Sequence, residues 1–132
     1  MTRDKVPGAI RIRRASRCLE LQYADATTVS LPFEYLRVYS PSAEVRGHGG
    51  GEGYLVAGKA DVQVTGAEAV GNYALKLGFD DGHDSGLFTW EYLKVLAREQ
   101  EQRWEHYLKR LEAAGQSRRP AASGSPQPYP AK

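Results

Sequence analysis

Leu75-Lys76-Leu77-Gly78-Phe79-Asp80-Asp81 repeats an earlier pattern, Leu19-Glu20-Leu21-Gln22-Tyr23-Ala24-Asp25. In both stretches apolar residues alternate with polar or small ones. A period of two puts the leucines and the aromatic ring on one face of a strand. Each stretch is followed by a second match, Glu34-Tyr35-Leu36-Arg37-Val38 against Glu91-Tyr92-Leu93-Lys94-Val95, with helical character. Two units of hairpin followed by helix predict a pseudo-repeated α+β domain, an antiparallel sheet covered by its helices.

Outward from these stretches the same logic places the other elements. Ile10-Arg11-Ile12-Arg13 alternates as a strand, and Ala15-Ser16 turns into the strand at Cys18. Thr27 to Leu31 is rich in β-branched residues and reads as a third strand. Pro32 suits the first position of a short helix over Phe33–Val38, because its missing N–H would have no partner there. Asp61 to Thr65 resumes the alternation. Asp80-Asp81-Gly82 predicts a tight hairpin turn with positive φ at Asp81 and Gly82, returning along Ser85–Phe88. Thr89 is placed to cap a long final helix, whose stripe is Leu93, Leu96, Ala97, Trp104, Tyr107, Leu108 and Leu111 and whose stop is Gly115. The organisation expected is a flexible terminus over 1–7, a domain over 8–115, and a disordered tail over 116–132 rich in proline and small polar residues.

Length and charge narrow the function. At 132 residues the chain suits one domain. The formal net charge of +2 is unevenly spread: residues 1–17 carry +5, residues 18–115 carry −6 and residues 116–132 carry +3. An acidic body argues against nucleic-acid binding by the folded surface and leaves only weak binding through the basic ends. Cys18 is the single cysteine, so no intrachain disulfide or cysteine-rich metal site can form, and a reducing cytoplasm is the expected compartment. No apolar run approaches the roughly 20 residues that cross a bilayer, and the N-terminus lacks the apolar core of a secretion signal.

Reactive chemistry is sparse. Gly53 to Ala60 nearly spells a phosphate-binding loop, but Ala60 stands where a magnesium-holding hydroxyl is needed and a strand follows where a helix should. Arg11, Arg13, Arg14 and Arg17 read as solvent-facing charges that guard an edge strand, with phosphate attraction as the alternative. His106 falls on the exposed side of the last helix. His48 sits in a glycine-rich loop, and His83 stands beside Asp80, Asp81 and Asp84. Histidine with carboxylates suits iron or zinc, yet no recognised ligand spacing is present. No nucleophile–base arrangement stands out, and the chain is expected not to be an enzyme.

The run Leu31-Pro-Phe-Glu-Tyr-Leu-Arg37-Val-Tyr-Ser-Pro41-Ser-Ala-Glu-Val-Arg46-Gly-His48, with Asp80-Asp-Gly-His-Asp-Ser-Gly86 and Trp90-Glu-Tyr-Leu93, resembles the γ-butyrobetaine hydroxylase-like N-terminal domain family, also called DUF971. The resemblance covers roughly residues 8–112. It implies a small domain that, in the hydroxylases, precedes an oxygenase domain absent from this chain. In those enzymes three cysteines and a histidine of the small domain hold zinc. Their positions fall on Ser40, Ser42, Val45 and His83, and serine and valine do not replace thiolates, so the zinc is expected to be lost and no cofactor is expected. A similar domain is also appended to a P-loop ATPase that carries iron–sulfur clusters.

These readings give a non-catalytic interaction module with an unidentified protein partner, no membrane partner, and a monomeric or weakly dimeric state. Its contact candidates are Arg37, Tyr39, Ser40, Ser42, Glu44, Arg46, His48 and His83. One alternative is a metal-handling accessory protein of iron or iron–sulfur traffic, for which His83, His48, Asp81 and Asp84 are the ligand candidates. The other is weak nucleic-acid binding through the basic termini.

Overall fold

The structure, a computed structural model, describes residues 6–41, 55–82 and 86–119. Strands β1 (Ala9–Arg13), β2 (Cys18–Gln22) and β3 (Thr28–Pro32) form an antiparallel sheet in that order and lead into helix α1 (Phe33–Val38). Strands β4 (Val64–Val70), β5 (Ala74–Phe79) and β6 (Gly86–Thr89) form a second antiparallel sheet and lead into helix α2 (Trp90–Arg98), followed by α3 (Gln100–Ala114). The α+β class and the repeat are as the sequence implies. The six strands are those the sequence places, and they fall into two three-stranded sheets.

Register explains why both sheets close over apolar residues. Ile10 pairs with Leu21 and Ile12 with Leu19, while Leu19 pairs with Leu31 and Leu21 with Val29. Directly opposed residues share a face, so β1–β3 present one apolar surface. In the second sheet Leu75 pairs with Phe88 and Leu77 with Gly86. Leu19, Leu21, Leu31, Leu75, Leu77, Phe88, Leu93 and Leu96 belong to one buried cluster. Each such side chain contributes about 1.5–3 kcal/mol on leaving water.

Several boundaries differ from the sequence reading. Pro32 ends β3 with φ −62° and ψ 145° and is the residue before the helix, not its first turn. β4 begins at Val64, so Asp61 lies ahead of the strand. Positive φ occurs at Gly82 (91°) but not at Asp81, and the link between β5 and β6 spans more than a two-residue turn, with the Gly82 N–H donating to the Phe79 carbonyl (3.2 Å). Asp81 is held by cations from elsewhere, as described below. Thr89 does cap α2, its Oγ1 accepting from the Tyr92 N–H at 3.0 Å.

The final helix is two helices. Glu99, with φ −105° and ψ 19°, breaks it although every residue nearby favours helix. The break frees the Leu96 carbonyl, which instead accepts from the buried Tyr35 hydroxyl (2.7 Å), a case of tertiary context overriding propensity. Leu108 stays 38% exposed, to one side of the Trp104–Tyr107–Leu111 line, so it leaves the predicted stripe. Gly115 stops α3 in the left-handed conformation.

Tyrosine hydroxyls tie the elements together. Besides Tyr35, Tyr39 donates to the Arg103 carbonyl (2.8 Å), Tyr92 to the Tyr39 carbonyl (2.6 Å), and Tyr107 to the Val56 carbonyl (2.5 Å). Residues 55–60, which we call the strap, are thereby fastened to α3. Arg14 and Arg17 are exposed, as expected, and their guanidinium groups also join the two units. Arg14 Nη1 donates to the Val64 carbonyl (2.7 Å). Arg17 Nη1 reaches the Ala60 carbonyl (3.0 Å) and Asp61 Oδ1 (2.9 Å). Past α3 the main chain of Ser117 and Arg118 is hydrogen-bonded to the strap. Gly58 N–H donates to the Ser117 carbonyl and Ala60 N–H to the Arg118 carbonyl, both at 2.9 Å.

Burial, reinforced by the Glu34 charge, pushes the Tyr107 hydroxyl up to about 12 from an ordinary 10.0, and burial drives Tyr35 upward as well. A folded value above the unfolded one means the contribution is intact below pH 10.0 and is lost as pH rises toward about 12, because only the unfolded chain ionises in that window. Urea midpoints should therefore hold up to about pH 10 and fall steeply above it. Tyr107→Phe should cost about 1 kcal/mol at neutral pH through the lost hydrogen bond and should flatten part of the alkaline fall.

Candidate functional site

Three parts of the chain converge on one carboxylate. Helix α1 carries Arg37 near its C-terminal end, the strap carries Lys59, and Asp81 follows β5. Arg37 Nε lies 2.8 Å from Asp81 Oδ2 and Lys59 Nζ lies 2.6 Å from the same oxygen. The Arg37 side chain is 13% exposed and that of Asp81 17%, so this is a partly desolvated cluster and not a solvent-screened surface pair. Arg37 Nη1 is buried and has no hydrogen-bond acceptor among the described residues. Lys59, part of the near phosphate-loop motif, is thus engaged by a carboxylate of its own chain.

Ser40 lies just beyond α1 and is fully buried. A Cβ placed at Gly86 would come within 3.0 Å of Ser40 Oγ and of the Phe88 ring. Only glycine permits that approach without displacing a neighbour. The end of α1 and the start of β6 therefore meet side by side.

Of the sequence-derived contact candidates, Arg37 is here partnered and largely buried, and Tyr39 and Ser40 are core residues. Tyr39 is 8% exposed, its ring edge-on to Tyr35 with centroids 5.4 Å apart. Both support the corner from within rather than presenting a surface. Ser42, Glu44, Arg46, His48, His83 and Asp84 lie outside the described residues. Asp81, read as a metal ligand candidate, is committed to Arg37 and Lys59. Among the described residues no three His, Cys, Asp or Glu side chains gather to hold an ion. Where the resemblance implies a zinc-bound thiolate, the structure has the packed hydroxyl of Ser40, a poor donor for that metal.

Sequence reasoning missed Lys59 as part of this corner, and it missed Glu34 altogether. Glu34 is 6% exposed and is clasped by Arg118, with Nη2 at 2.8 Å from Oε1 and Nε at 3.0 Å from Oε2. Its counterpart in the repeat, Glu91, is exposed. No local signal marks a carboxylate whose partner is 84 positions away.

Comparison with known proteins agrees with this architecture. The family model described as gamma-butyrobetaine hydroxylase-like, N-terminal, matches residues 10–94, and the chain belongs to that family. One similar solved structure, determined by NMR in solution, shares 51% identity over 92% of this chain and 96% of its own, with a TM-score of 0.75. Another, also from NMR, shares 41% identity over 94% and 92%, with a TM-score of 0.76. A crystal structure of a protein of unknown function in the DUF971 family from Acidithiobacillus ferrooxidans shares 41% identity over 72% of this chain and 96% of its own, with a TM-score of 0.60. No curated protein matches. Among the described residues no helix is long and apolar enough to cross a membrane.

If Asp81 anchors the corner, Asp81→Ala should destabilise the protein by about 2–3 kcal/mol in urea denaturation, because it strands a guanidinium and an ammonium that are mostly buried. Glu20→Ala breaks only the 3.7 Å pair with the half-exposed Arg13, and should change stability by no more than about 0.5 kcal/mol.

Proposed function

We propose that the protein is a non-catalytic interaction module. Its working surface is built from the polar segments that leave the Arg37–Asp81–Lys59 corner. The observation that carries this reading is the corner itself. A partly buried ion cluster fixes the ends of α1 and β5, from which the family-signature segments 42–48 and 83–85 depart. Rigid roots with polar side chains beyond them suit recognition, since binding residues are commonly carried on connections held by a firm scaffold.

We further propose that the module works without the zinc of the related hydroxylases, in the cytoplasm, and recognises a protein rather than nucleic acid. The mismatch of Ser40, Ser42 and Val45 with thiolate ligation supports the first point. The acidic body supports the last.

Arg46→Ala and His83→Ala change side chains in the polar segments and leave the corner intact. Both variants should keep the wild-type thermal midpoint. A partner recovered with untagged wild-type protein, identified by mass spectrometry and then purified, should bind each variant at least about tenfold more weakly, the loss of roughly 1.4 kcal/mol that one good polar contact supplies. Unchanged affinity in both variants would remove these segments as the recognition surface.

A further inference from the structure

The chain beyond α3 is seated as a bound peptide would be. Its main chain is read twice by the strap, through the N–H groups of Gly58 and Ala60 that donate to the carbonyls of Ser117 and Arg118. Its side chain is read once: the Arg118 guanidinium makes a two-pronged contact with Glu34 and lies over the Trp104 ring at 5.4 Å from the centroid. Main-chain bonds that give affinity, together with a side-chain site that gives specificity, are the general form of extended-peptide recognition. Glu34 supplies the selectivity. Its side chain is 7% exposed, so a carboxylate left there without a cation is strongly disfavoured, whereas the Arg118 side chain is 47% exposed and reaches the site from the solvent side. The planar fork of a guanidinium satisfies both carboxylate oxygens and stacks on an indole, which an ammonium cannot do equally well. Trp104 and Arg118 both lie beyond residues 10–94, the part matched by the family model.

We propose that Glu34, Trp104 and the Gly58–Ala60 main chain form a binding site for an arginine-bearing extended peptide, and that Ser117–Arg118 occupies it as a tethered, autoinhibitory ligand. The site is separate in its residues from the interaction surface proposed above. A tethered segment acts at an effective concentration of about millimolar, so a competing peptide must overcome that occupancy or wait for the segment to leave.

The test uses the full chain carrying Arg118→Ala and, as probe, a blocked peptide of sequence Gln-Ser-Arg-Arg-Pro, followed through the amide signals of Gly58 and Ala60 and the indole N–H of Trp104. The variant should bind the peptide at least tenfold more tightly than the wild type does. Replacing the peptide's first arginine by lysine should weaken binding several-fold, and adding Glu34→Gln to the variant should abolish it. A folded Arg118→Ala protein with no arginine-dependent shift at those amides overturns the proposal. Should the variant fail to fold, hydrogen exchange on the wild type decides. The Gly58 and Ala60 amides should exchange much faster than those of Leu75 and Leu77, and exchange only at the rate of the core would show that the segment does not detach.

Discussion

The hydroxyl of Tyr35 and the carbonyl of Leu96 meet inside the protein, 61 positions apart in sequence and 2.7 Å apart in space. Neither group has water to fall back on, and a buried polar group without a partner costs about 1–3 kcal/mol. The contact therefore fixes α1 against the junction of α2 and α3. The helix breaks three residues further on, at Glu99, where φ is −105° and ψ is 19°. Tyr39, about one turn beyond Tyr35, receives the hydroxyl of Tyr92 at its carbonyl and sends its own hydroxyl to α3. Through these aromatic residues the short α1 is held on three sides, and it can deliver Arg37 and Ser40 to one place and Glu34 to another.

Charge completes what the aromatic contacts begin. Asp81 unites α1, the strap and the end of β5. Glu34 unites α1 with the segment after α3. Arg14 and Arg17 reach from the first sheet to the strap and to β4. In each case the cation is long and the anion or carbonyl is short and set close to the core. That arrangement lets the aliphatic stem of the cation cover apolar surface while its head finds a partner.

The sequence reveals what is decided locally. Alternation at Leu19-Glu20-Leu21 and Leu75-Lys76-Leu77 places both central strands, and a threonine before a helical run places the α2 cap, because pleat and capping act over two to four residues. The family signature falls at the ends of α1 and β5. What remains hidden is set by encounters between distant positions. Nothing near Glu99 announces a break, because the residues around it favour helix. Nothing near Tyr39 announces burial, because its cause is α3. Lys59 looks like part of a phosphate loop until Asp81 claims it, and residues 116–119 look unstructured until Glu34 and the strap are seen waiting for them.

The strap has a mechanical consequence. It is fastened by the Tyr107 hydroxyl at Val56, by Lys59 at Asp81, and by the chain after α3 at Gly58 and Ala60. A pull exerted on the C-terminus, by a fused domain or a surface attachment, is borne first by the Arg118 clasp and by two hydrogen bonds. It does not reach either sheet directly. The molecule carries a weak link in series with its core, so moderate tension would be absorbed by release of a few residues while the two sheets and their shared interior stay closed.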